Sequence, residues 1–219
     1  MGVTDSTGRL ASTAGGQILR TATKLATARP AAKPLHPRGC LVGGTVRRWG
    51  GDGKTGAAWL DHAGEDDVLV RKSRALGMPP LAPDIFGLAL RVPTTGDRYG
   101  DLLFASTGLG RLTRFTLTPA RSLHSRPLTT LLPYRTRAGA VMLAAVFDDE
   151  SRATLAWAAR SGPWHRFAEL SLDYRAIGDG NTSVSFDPIR NTLPGLENYP
   201  WVQRLREPSY TSARRSRGP

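Results

Sequence analysis

Cysteine is almost absent from this chain: Cys40 is the only one in 219 residues. A single thiol excludes intramolecular disulfides and cysteine-based zinc clusters, and a chain that manages without disulfides suits the cytoplasm, the compartment expected here. Long apolar runs are missing too. The longest, AGAVMLAAVF (Ala138–Phe147), falls short of the ~18 residues of a membrane span and has the length of a buried strand. Lysine is scarce, confined to Lys24, Lys33, Lys54 and Lys72, so arginine carries the net charge of +12. Such a charge suits nucleic acid, anionic lipid or acidic ligands. Nucleic-acid recognition also asks for aromatics interleaved with a basic patch, or for a helix-turn-helix pattern. The arginines are instead spread along the whole chain, so neither nucleic acid nor membrane is an expected partner.

What is present reads as one domain, residues 17–219, behind a tail of residues 1–16. The N-terminal stretch lacks the apolar segment of a secretory signal. Residues 16–28 (GQILRTATKLATA) place Ile18, Leu19, Ala22, Leu25 and Ala26 at helical spacing, which predicts a short helix. Three prolines in RPAAKPLHPRG then break it. From there the pattern is β: CLVGGTVRRW, DVLVRKS, FGLALRV, GDLLFAST, RLTRFTLT, PLTTLLPY, GAVMLAAV, ATLAWAAR and FAELSLDY are separated by spacers of Gly, Pro, Asp and Ser. The short spacers among the last five suit antiparallel neighbours, and this many strands predict a closed barrel or a sandwich. After Tyr174 the sequence reads as irregular, and the terminal YPWVQRLREPSYTSARRSRG as helical, with Pro200 suited to a first turn and Pro208 at odds with an interior.

Three stretches in order carry a resemblance: LHPRGCLVGGTV (Leu35–Val46), VLVRKSRALGMPPLAPDIFGLALRVPTTGDRYGDLLFAST (Val68–Thr107) and RLREPSYTSARR (Arg204–Arg215). Their His-x-x-Gly, Val-Arg-x-Ser, Asp-x-x-Gly-x-Ala, Asp-Leu and Arg-x-x-x-Tyr patterns resemble the catalase-like superfamily of haem-binding β-barrels. The resemblance implies an α+β chain, mainly an antiparallel closed barrel of about eight strands, with a short N-terminal and a C-terminal helix. The cofactor implied is haem and the substrate a peroxide or organic hydroperoxide.

The resemblance also implies roles. Tyr210 would be the proximal iron ligand and so the one metal-binding residue. A tyrosine with an ordinary pKa of about 10 needs help to bind as phenolate, and Arg206, four residues earlier, would supply it. His36 would be the distal acid–base group. Arg71 and Ser73 flank Lys72 on one strand face; in the family the arginine binds a haem propionate, and the serine lies near the distal histidine. Inside a barrel such an arginine needs a partner, which a propionate would be. Lys33 falls where the family has another propionate-binding arginine. Ala105 falls where true catalases carry a distal asparagine, which points to a weak peroxidase or hydroperoxide-converting activity in place of efficient catalase. The alternative is a non-catalytic binding protein on the same barrel. A short chain without the wrapping segments of a true catalase would suit a homo-oligomer that covers the haem edge. The acid-rich loop WLDHAGEDD reads as solvated, the remaining histidines as isolated, and GGDGKTG as a hairpin loop without the phosphate-binding pattern.

Overall fold

The computed structural model describes residues 38–51, 54–79, 81–159, 161–179 and 184–206, with the side chains of Arg38 and of residues 175–179 left aside. The predicted helix over 16–28, and Lys33, His36 and Tyr210, lie outside these residues. The strands are β1 (Arg38–Trp49), β2 (Ala63–Arg74), β3 (Phe86–Pro93), β4 (Tyr99–Ser106), β5 (Leu128–Thr129), β6 (Tyr134–Thr136), β7 (Gly139–Phe147), β8 (Arg152–Ala159), β9 (His165–Asp179) and β10 (Glu197–Asn198). A short helix, α1 (Ala58–Asp61), lies between β1 and β2. A second, α2, covers residues 200–206 and begins at Pro200 as its sequence predicts.

The sheet order β10-β6-β7-β5-β4-β3-β2-β1-β9-β8, with β8 also paired to β7, closes a ring of eight antiparallel strands: β1, β2, β3, β4, β5, β7, β8 and β9. β6 and β10 extend it on the edge of β7 beyond β5. Alternate residues of every ring strand turn inward. Val42 and Val46, Val68 and Val70, Leu88 and Leu90, Leu102 and Phe104, Leu128, Leu143 and Ala145, Leu155 and Trp157, and Leu170 and Leu172 form one buried apolar cluster. The barrel is therefore a packed core.

Three readings of the sequence are corrected. RLTRFTLT is not a strand: residues 113–115 form a 3₁₀ turn inside an irregular loop. Its Arg114 side chain is buried and donates to the carbonyls of Leu109, Gly110, Ala159 and Gly162. PLTTLLPY is not one strand. Leu131 takes a left-handed φ of 60° and divides it into β5 and β6. Finally, β9 continues past Tyr174 to Asp179, with register shifts against β1 that absorb the irregular sequence.

Two aspartates from the sequence patterns hold the loops. Asp84 is fully buried and accepts from the backbone N–H groups of Leu76, Met78 and Ile85 at 2.8, 3.0 and 2.7 Å. Asp101, 1% exposed, accepts two hydrogen bonds from Arg91 at 2.8 and 2.9 Å. It also accepts from the Asp187 N–H and the Asn191 amide, each at 2.8 Å. Arg91 in turn stacks its guanidinium on Tyr99, 3.8 Å from the ring centre, and donates to the Ser185 carbonyl. Asp101 thus fastens residues 185–191 to β4. Next to it, Leu193 packs so closely on Gly100 that a Cβ there would stand 2.5 Å from its Cγ.

Removing one partner of a buried ion pair leaves an uncompensated charge, at a cost of about 3–5 kcal/mol. Asp101→Asn is expected to lose that much stability in urea unfolding and to expose residues 185–198 to proteolysis. A loss under about 1 kcal/mol with no new cleavage would show that the carboxylate is dispensable.

Candidate functional site

The outward-facing residues of β1–β4 bring the described candidates together. Register pairs Gly39 with Ser73, Ser73 with Gly87, and Gly87 with Ala105, so four small residues form a row across four strands. β5 continues it through the pairing of Ala105 with Thr129. Arg71 and Ser73 share this outer face, as their spacing predicts. The face is not the barrel interior, which corrects the expectation of an inward arginine; Ser73, 8% exposed, and Gly87 are buried on it, while Arg71 and Ala105 are partly exposed. The Ser73 hydroxyl donates to the Gly87 carbonyl at 3.4 Å. Arg71 lies back over Gly39. A Cβ on Gly39 would stand 3.1 Å from Arg71 Nη2, 3.2 Å from its Cζ and 2.6 Å from the Lys72 carbonyl. Glycine at this position is what lets the guanidinium rest on the β1 backbone.

The row leads to Arg206. Three strand spacings, about 14 Å, separate β2 from β5. One residue past Thr129, the Thr130 carbonyl accepts from Arg206 Nη2 at 3.2 Å. This contact ties α2 to the turn between β5 and β6. The tyrosine that Arg206 faces among the described residues is Tyr134, whose ring belongs to the barrel's apolar cluster. Burial raises the Tyr134 pKa above its ordinary value, and Asp101 adds to this; Arg206 opposes both. The alternation Tyr134, Thr136 in β6 was the only sequence sign of that buried position. The expected pairing of Arg206 with Tyr210 falls outside the described residues.

The acid-rich segment is not a loop: it spans α1 and the start of β2, and two of its acids are engaged in structure while Glu65 and Asp67 are exposed. Asp61 accepts from the Thr55 hydroxyl at 2.7 Å and the Gly56 N–H at 2.8 Å. Asp66 accepts from Arg48 at 2.8 Å and the Trp59 indole at 3.0 Å. GGDGKTG is part of this arrangement, leading into α1. Among the described residues no group of three His, Cys, Asp or Glu side chains stands ready to hold a metal, and no helix is long and apolar enough to cross a membrane. Of the histidines, His165 stacks on Trp157 with ring centres 4.5 Å apart. His124 packs edge-on against Phe147 at 4.8 Å, its Nε2 buried without a hydrogen-bond partner among the described residues.

No protein-family model matches this sequence, and no curated protein matches it. Solved structures do match. A fungal catalase superposes with a TM-score of 0.63 at 14% identity, covering 84% of this chain and 59% of its own. Catalase A from Saccharomyces cerevisiae superposes with a TM-score of 0.62 at 10% identity, covering 82% of this chain and 60% of its own. The chain thus spans about three fifths of the length of either catalase. At this identity the likeness establishes the fold, a catalase-like β-barrel, as the sequence motifs imply.

Two outcomes follow. Gly39→Ala is expected to displace Arg71 or the β1–β2 ladder and to lower the melting temperature by several degrees, since the backbone contact leaves no space. An unchanged melting temperature would contradict the close packing. For His124, burial lowers the pKa first; Lys72 lowers it further, while Glu150 and Asp149 oppose. A histidine more easily deprotonated when folded favours the folded state only while neutral. Stability is therefore expected to fall as pH drops below about 6.5, and His124→Phe should flatten that fall in denaturation curves taken between about pH 7 and about pH 5.

Proposed function

We propose that this chain binds haem against the outer face of β1–β4 and converts peroxides or organic hydroperoxides slowly, as a weak peroxidase in place of an efficient catalase. The observation that carries the reading is the juxtaposition, on a catalase-like barrel, of Arg71 over Gly39 with Ser73 on the same face. A haem needs cations for its propionates, a wall that leaves room for a flat macrocycle and an axial ligand. Arg71 supplies the first, and the row Gly39, Ser73, Gly87 and Ala105 the second. The described residues therefore fit.

Haem, when bound, supplies the redox-active iron. The rest of the work falls to side chains. Tyr210 would be the axial ligand as phenolate. Arg206, held at Thr130 four residues earlier in the chain, carries the charge that favours this anion. Arg71 and Lys33 would bind the propionates, and a bidentate guanidinium is the better of the two donors. Neutral His36 would take a proton from one peroxide oxygen at an imidazole nitrogen and return it to the other. Ser73 lies on the face that His36 would approach. Ala105 is the departure: it presents a methyl group where an amide would orient the peroxide. Loss of one such donor typically costs about 10²–10³ in rate. That position also favours a second reading, in which haem is carried without turnover.

Hemin titration of the full chain decides. A stoichiometric Soret band with the charge-transfer features of tyrosinate-ligated ferric haem is expected, and its loss in Tyr210→Phe. Failure to form the band would overturn the haem reading; a band unchanged in Tyr210→Phe would overturn the ligand. Ala105→Asn is expected to raise hydrogen peroxide turnover about tenfold or more. Wild-type turnover at the rate of a true catalase would contradict the argument from Ala105.

A further inference from the structure

We propose that Tyr134, Asn198 and Arg206 enclose a buried solvent site, one water molecule that joins β6, β10 and α2 and so sets the position of the C-terminal helix. Two unsatisfied polar atoms carry it. The Tyr134 hydroxyl and Asn198 Oδ1 are both buried, on residues only 3% and 6% exposed, and among the described residues the hydroxyl finds no acceptor for its proton and Oδ1 no donor. More than nine in ten buried polar groups in folded proteins are paired with protein or ordered water. Two orphans on unrelated elements would be two separate anomalies. These two are direct neighbours, since Asn198 pairs with Tyr134 across the β10–β6 ladder. Paired residues face the same side, with Cβ atoms about 4.5–5.5 Å apart. Arg206 stands at the same place, its guanidinium acting on the Tyr134 hydroxyl both as charge and as donor while one guanidinium nitrogen is tied to Thr130.

The chemistry of the three groups selects the occupant. The Asn198 amide nitrogen is committed to the Pro188 carbonyl at 2.6 Å, which turns Oδ1 toward the site as a pure acceptor. Arg206 can only donate, and the tyrosine hydroxyl can do either. An anion would meet Asn198 Oδ1 and the nearby Asp101 carboxylate, which also acts on Tyr134. A cation would meet Arg206. A small neutral molecule that both donates and accepts fits all three, and a buried water typically makes about three hydrogen bonds. The inference does not depend on haem.

Equilibrium unfolding of Tyr134→Phe, Asn198→Ala and the double variant tests it in the full chain. With a shared water, Tyr134→Phe is expected to lower the melting temperature by a few degrees, and the double variant to lose clearly less than the sum of the two. Amide exchange at Val202 and Gln203, whose N–H groups bond the Tyr199 carbonyl in the first turn of α2, should quicken in both single variants. If Tyr134→Phe is neutral or stabilising and the two substitutions add, the hydroxyl is simply unsatisfied and the proposal falls. A crystal grown in bromide separates the occupants: a water peak between the two atoms supports the assignment, and an anomalous bromide peak there overturns it.

Discussion

The carboxylate of Asp101 is the constraint on which the outer architecture depends. It takes both nitrogens offered by Arg91 on the neighbouring strand and two donors from the chain beyond the last barrel strand. The described residues just after β9 are placed through it. Residues 185–191 are fastened to β4, Leu193 is seated on Gly100, and β10 is brought beside β6. In α2, Arg206 then reaches Thr130. Asp84 does the same for the loop between β2 and β3. Buried carboxylates satisfied in this way behave as fixed hubs, costly to break though of modest net worth when formed.

A second constraint follows from the closed ring. Its interior is lined by apolar side chains from every strand, a packed core that favours a site on the outside or at the barrel's ends. The outer face of β1–β4 is distinctive because it sets a row of the smallest residues beside the Arg71 guanidinium, while Arg91 on the same face is held by Asp101. Glycine at positions 39 and 87 and alanine at 105 leave space against the strands, while the Cβ-free backbone at Gly39 receives Arg71. This face and the Arg206 end of the molecule are joined by the pairing of Ala105 with Thr129.

Much of this was legible in the sequence, for identifiable reasons. Alternation marked the long strands correctly, because half-buried strands must alternate. The patterns around Asp84 and Asp101 pointed to the right fold through residues whose work turns out to be architectural. What stayed hidden depended on contacts distant in sequence. Alternation in RLTRFTLT suggested a strand, but Arg114 needed the carbonyls of Ala159 and Gly162, which only a loop could reach. Leu131 breaks the β5–β6 run in a left-handed conformation that no residue type there announces. The meeting of Arg206 with Tyr134 joins residues about 70 positions apart in the sequence and had no local signal. The assignment of Arg71 to a strand face needed only period two; deciding that the face was the outer one needed the closed ring.

The central claim is that haem lies on the outer row of small residues. An iron anomalous difference map from crystals of the hemin-loaded protein tests it most directly. The account predicts a single peak above the row Gly39, Ser73, Gly87 and Ala105, on the side where Arg71 lies. A peak inside the barrel, or at a surface histidine such as His62 with the row left empty, would contradict it.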